Sequence, residues 1–158
     1  DTAAGGLARI ERDVLAFFPD LCIVCFGLND SLSDMQGLTD FQSALSKMLD
    51  RLDGIPVVLL TPCMINTKVS NEISGETLTV AAKQCMEVQN NGVLAAYVEA
   101  IREQANMRDI PVCDEYARYE RWAASGIDTN RLLANRINHP LREIHSLWAQ
   151  DLFILLVG

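Results

Sequence analysis

The chain has only two histidines, His139 and His145, and no apolar run long enough to cross a bilayer. Its longest uninterrupted stretches, such as residues 152–157, fall far short of the roughly 20 residues a spanning helix needs. Basic residues are the minority: 13 Lys+Arg face 21 Asp+Glu, for a net charge of -8 and a pI near 4.6. That shortage excludes nucleic acid and an anionic membrane surface as partners, since both are bound through basic faces. Internal repeats, low-complexity tracts and Pro/Ser-rich linkers are also missing. The five cysteines, Cys22, Cys25, Cys63, Cys85 and Cys113, are an odd number and lie mostly in apolar runs. They do not make a disulfide framework and read as free thiols of a reducing, cytoplasmic compartment. No signal peptide is visible, and Asp1 is not an initiator residue.

With 158 residues, 49% apolar and 22% charged, the chain is long enough to bury its own core, and residues 1–158 read as a single domain. Helices alternate with short apolar strands. Leu7, Ile10, Val14 and Phe17 fall at helical spacing after Gly5-Gly6. Residues 21–26 form a continuous apolar run after Pro19-Asp20, as expected of a strand buried on both faces of a parallel sheet. Asp40 is placed to cap a helix whose stripe is Phe41, Ala44, Leu45, Met48, Leu49 and Leu52, with Gly54 at its end. Residues 56–60 give a second strand and the polar residues 66–76 a loop. Residues 77–107 are helical with a break near Asn90-Asn91-Gly92, and residues 110–113 give a third strand. Helices are expected over 115–124 and from 141 to about 155, with a turn near 130–135. This order predicts an α/β fold with a parallel sheet and right-handed crossovers. All three strands read as central, which leaves the open side of the first one to be covered.

Ligands of open parallel sheets bind beyond the carboxyl ends of the strands. Gly27-Leu28-Asn29-Asp30-Ser31 follows the first strand, where Gly27 permits a sharp turn and the Asn29 amide can stabilise a developing oxyanion or simply form a turn. His139, in Asn138-His139-Pro140 ahead of the last helix, is the candidate general base. His145, near Leu141, Trp148 and Leu152, reads as structural. Cys22-Ile23-Val24-Cys25 has the C-x-x-C form, but within a strand residues i and i+3 point to opposite faces, so it is neither a redox pair nor a metal knuckle. No metal site or cofactor is expected.

Strand–Gly27-Leu28-Asn29-Asp30 resembles the G-x-N-D block of the SGNH (GDSL-type) hydrolases. Asn138-His139-Pro140, followed by Arg142-Glu143-Ile144-His145-Ser146-Leu147-Trp148-Ala149, resembles their C-terminal His-Pro block. Phe17-Phe18-Pro19-Asp20-Leu21, Val58-Leu59-Leu60-Thr61-Pro62 and Asp1-Thr2-Ala3-Ala4-Gly5-Gly6 also fit, in the family's order. The resemblance implies a flavodoxin-like three-layer α/β/α fold and a serine acyl-ester hydrolase, esterase- or lipase-like, with carbohydrate acetylesters in the family's range. It makes Asn29 an oxyanion-hole donor through its side chain and His139 the base for a serine nucleophile. The partner implied is a small-molecule ester.

Two departures from the family pattern stand out. The chain contains no Gly-Asp-Ser and no G-x-S-x-G elbow, so the nucleophile is expected upstream of Asp1, in a segment of roughly 40–50 residues carrying the first strands. On that expectation this chain alone is inactive, and its exposed strand edge is a route to homo-oligomers. Ser31, though after Asp30, lies in the Asn block and is not promoted to nucleophile. The family's acid normally stands three residues before the histidine, and here that residue is Arg136. A backbone carbonyl, the Asn135 side chain, a carboxylate elsewhere or a Ser-His dyad remain as alternatives. A non-catalytic binding domain that kept the fold is the main competing function. A flavodoxin-like nucleotide or receiver domain fits less well, because no Gly-rich phosphate loop is present.

Overall fold

The computed structural model describes residues 1–157. Its helices are α1 (Ala3–Asp13), α2 (Leu28–Ser31), α3 (Leu38–Arg51), α4 (Glu76–Asn90), α5 (Val93–Arg108), α6 (Glu115–Ala124) and α7 (Arg142–Val157). Its strands are β1 (Cys22–Val24), β2 (Val57–Leu60) and β3 (Val112–Cys113), and they lie in the order β1-β2-β3. β1 and β2 are parallel, with Cys22 opposite Val57 and Val24 opposite Leu59. The Leu59 N–H donates to Pro111 O at 3.0 Å, just ahead of β3. The α/β class with a parallel sheet is therefore as the sequence predicts. Two compact units make up the chain: Asp1–Pro62 with Leu94–Val112, and Cys63–Val93 with the chain from Cys113 on.

In the first unit the whole predicted stripe of α3, from Phe41 to Leu52, is buried. Phe41 packs on Tyr97 of α5 with ring centroids 5.1 Å apart. Asp40 is not the cap, since Gly37 precedes the helix and Asp40 stands in its first turn. There its carboxylate still complements the positive end of the helix. Gly5-Gly6 does not precede α1 but lies inside it. Gly6 faces Phe26 and Met48, and a Cβ there would lie 2.4 Å from Phe26 Cζ, so its lack of a side chain lets the helix approach closely. Gly54, past the end of α3, has φ 82° and turns the chain toward β2.

β1 is only partly buried, against expectation. Cys22 and Val24 are buried, but Ile23 is 46% exposed and Cys25 is also exposed. β1 stands at the edge of the sheet with β2 on one side only. A cavity of about 430 Å³ runs beside it, walled by Ile10, Val14, Ile23, Phe26 and Met48 among others.

In the second unit Cys63, Tyr119, Leu133 and Ile144 form a core with Trp122, Leu147 and Trp148 packed against it. α6 spans the residues expected, and the Asp114 side chain caps it by accepting the Ala117 N–H at 3.0 Å. Glu115 is 1% exposed, and burial raises its carboxyl pKa while Arg118 opposes that shift. Arg118 Nε meets the Glu115 carboxylate at 2.8 Å and also pairs with Asp151 of α7. Removing the guanidinium leaves a buried charge without its partner. Arg118→Met is therefore expected to lose about 3–5 kcal/mol of stability at pH 7 in urea unfolding. A raised carboxyl pKa places the proton preferentially on the folded chain as pH falls, so the deficit shrinks toward acid pH. Adding Glu115→Gln to that variant should recover most of the loss at neutral pH.

Candidate active site

The Asn29 turn belongs to the first unit. β1 ends at Val24, and the chain reverses at Gly27, whose φ is 111°. A Cβ there would stand 3.3 Å from Ile101 Cδ1, so glycine serves both the left-handed backbone and the close approach of α5. Asp30, 7% exposed, locks the turn: Oδ2 accepts the Gly27 N–H at 3.0 Å and Oδ1 accepts the Ala3 N–H of α1 at 2.8 Å. Asn29 lies on α2, exposed, with Nδ2 donating to Asp1 O at 3.1 Å. Ser31 is fully buried, and its hydroxyl donates to Leu28 O at 2.7 Å, so it is not available to attack a substrate. A cavity of about 400 Å³ beside the turn is lined by Thr2, Asp30, Ser33, Gln36, Asp40 and Phe41, among others.

His139 belongs to the second unit and is exposed. Among the described residues none forms a hydrogen bond with its imidazole. Its loop is anchored by Leu133 and Ile137, both buried. Ile137 O accepts the N–H of buried Asn66 at 2.8 Å, and Asn66 Nδ2 donates to Ala82 O of α4 at 2.9 Å. Asn130, at the start of the loop, takes the Thr67 N–H at 2.9 Å and donates to Thr67 Oγ1. Arg136, in the position where the resemblance places an acid, has φ 58° and pairs with Glu72 at 3.0 Å. His145 is exposed on α7 with its ring edge on Trp148 at 5.1 Å, outside this loop.

None of the five cysteines is joined in a disulfide. Cys113, Glu115 and Asp151 offer ligand atoms within 4.8 Å of one another. Arg118 already pairs with both carboxylates, and the Cys113 thiol is pushed up to about 12 by burial and by Glu115. The cluster is a compensated ion group and not a vacant cation cage. The Asp30 and Asn66 tethers are absent from the sequence reading. For Asp30 the signal was present, since its place three residues after Gly27 allows its carboxylate to reach back to that N–H. For Asn66 no local pattern announces burial.

The loop after β2 and the His139 loop are also tied by charge. Lys68 Nζ meets Asp128 at 2.7 Å, and Asp128 Oδ1 accepts from Asn130. Lys68 and then Asn130 lower the Asp128 pKa from 3.8 to about 2. A depressed carboxyl pKa contributes stability above the unfolded value and loses it as pH falls through the folded one. The stability gap between the wild type and Asp128→Asn should hold above about pH 5 and close between about pH 4 and 2, read by urea midpoints across pH.

The family model for the GDSL-like lipase/acylhydrolase family matches residues 1–147. No curated protein sequence matches the chain. Several solved structures share the fold. An acetyl xylan esterase superposes with a TM-score of 0.77 at 20% identity, covering 99% of this chain and 77% of its own. An acetylxylan esterase from Geobacillus stearothermophilus gives 0.73 at 18% identity, over 100% of this chain and 68% of its own. A lipase/acylhydrolase from Enterococcus faecalis gives 0.71 at 20% identity, over 98% and 71%. At such identities the likeness speaks for the fold, the flavodoxin-like α/β architecture of SGNH hydrolases. A family match over nearly the whole length, with the Asn29 turn and the His139 loop in family order, settles the membership: the chain belongs to the GDSL-like lipase/acylhydrolase family.

Proposed function

We propose that this protein is a serine acyl-ester hydrolase in which His139 is the general base and Asn29 the oxyanion donor. The serine is contributed by residues N-terminal to Asp1, and residues 1–158 alone do not turn over esters. The observation that carries the reading is the Asn29 turn. Its amide stands exposed just past the end of β1, on a backbone fixed by the buried Asp30 carboxylate. A preorganised amide donor is what a carbonyl oxygen gaining charge requires. His139 takes the serine proton as Oγ bonds to the ester carbon. Negative charge then builds on the carbonyl oxygen and is held by the Asn29 N–H. Collapse breaks the ester C–O bond, with the proton passing from His139 to the departing alcohol. Water repeats the sequence and frees the acid.

An acetylated sugar is the substrate class we favour. The cavity beside the turn offers Thr2 and Ser33 hydroxyls, the Gln36 amide and the Asp40 carboxylate, groups that bond sugar hydroxyls, with Phe41 as its apolar wall. No helix among the described residues is long and apolar enough to cross a membrane. The net charge of -8 and the cysteines in apolar runs support a cytoplasmic setting with no membrane or nucleic-acid partner. The open β1 edge is the surface through which copies of this chain would associate. Arg136 in the acid position favours a second reading, a binding domain that kept the fold without the chemistry.

Hydrolysis of p-nitrophenyl acetate by the full-length protein separates the two. His139→Ala should lower kcat by about 10³-fold or more, as for loss of a triad base. Asn29→Ala should lower it by about 10²-fold. Near-wild-type turnover in His139→Ala overturns the base assignment, and no turnover in the full-length protein favours the binding domain.

A further inference from the structure

The loop bearing His139 is a closed hairpin. Leu132 O accepts the Leu141 N–H at 2.8 Å, and His139 O accepts the Ala134 N–H at 2.7 Å. Leu133 and Pro140 pair across it in antiparallel fashion. One side-chain oxygen fills its interior. Asn135 Oδ1 accepts the backbone N–H groups of Ile137 at 3.0 Å, Asn138 at 2.9 Å and His139 at 3.0 Å. The same side chain donates from Nδ2 to Asn138 Oδ1 at 2.9 Å.

An amide oxygen has two lone pairs, so three converging donors share it, and the backbone of three consecutive residues is held to one point. An Asn that merely forms a turn bonds its own backbone two residues on. Here the set of bonds continues to the N–H of the histidine itself.

Arg136 is engaged elsewhere. Its guanidinium donates to Arg131 O at 3.0 Å and Leu133 O at 3.2 Å and pairs with Glu72. It therefore secures the first arm of the hairpin, while Asn135 secures the second. No described residue bonds the imidazole, so what constrains His139 reaches it through its backbone.

We infer that Asn135 is a positioning residue for the general base, holding His139 by its main-chain N–H in place of a carboxylate on the imidazole. This rests on the reading of His139 as the base. The device fixes the backbone from which the imidazole projects without adding charge beside the ring. A base displaced by about 1 Å loses on the order of 10²-fold in rate, so the tether acts on the chemical step and leaves substrate affinity alone.

The test uses the full-length protein with p-nitrophenyl acetate, together with NMR amide exchange at residues 137–139. Asn135→Ala should lower kcat by about 10- to 100-fold with KM within about twofold, and should speed exchange at those three amides. Asn135→Asp keeps the accepting oxygen and should restore both kcat and protection. Asn135→Ser, with a single shorter acceptor, should fall between them and serves where the alanine variant does not fold. Unchanged kcat in Asn135→Ala, or a loss that Asn135→Asp does not restore, overturns the inference. If His139→Ala keeps wild-type turnover, the base assignment has failed and this inference falls with it. A dead His139→Ala beside a fully active Asn135→Ala overturns this inference alone.

Discussion

The buried carboxylate of Asp30 is the contact on which the first unit's rim depends. It accepts backbone N–H groups from Ala3 and Gly27, residues brought together from the start of α1 and the end of the first strand segment. A carboxylate is tolerated in that setting because both oxygens have partners. Ala3 N–H is among the donors a helix leaves unsatisfied at its start, and Gly27 N–H is the donor freed where the chain leaves the strand. One side chain therefore ends a strand, begins a helix and fixes the backbone from which Asn29 projects. The Asn29 amide then bonds Asp1 O and completes the tie between the turn and the chain ahead of α1.

The His139 loop follows the same logic with a neutral oxygen. Asn135 gathers three N–H groups, Asn66 and Asn130 bind the loop to the segment after β2, and Ile137 and Leu133 enter the core. In both places a short polar side chain takes the role that a sheet ladder takes elsewhere. Loops lack ladder partners, and these two find their rigidity in side-chain acceptors. Arg136 adds a backbone clamp, its guanidinium donating to the carbonyls of Arg131 and Leu133 in the preceding turn.

Much of the fold was legible because it rests on periodicity. The α3 stripe, the break at Gly92 and the limits of α6 follow from spacing, glycine and capping, all of which act locally. The miscast features depend on neighbours that no local pattern records. Ile23 reads as core and is exposed because only one side of β1 has a strand beside it. Gly5-Gly6 reads as lying ahead of the helix, yet it is inside α1, and Gly6 is a contact surface for Phe26 and Met48. At the site, Asn29 and His139 were visible as residue types after a strand and before a helix. Of the oxygens that hold them, the Asp30 carboxylate was signalled only by its spacing from Gly27, while its second partner, the Ala3 N–H, and the three N–H groups gathered on Asn135 follow from no local pattern.

The proposed chemistry turns on His139 activating a serine for attack on an ester. Labelling of the full-length protein with a serine-directed fluorophosphonate, followed by peptide mapping, tests it most directly. One labelled serine is expected, N-terminal to Asp1, with labelling lost in His139→Ala while the protein stays folded. Labelling that persists undiminished in that variant, or that maps to Ser31, would contradict it.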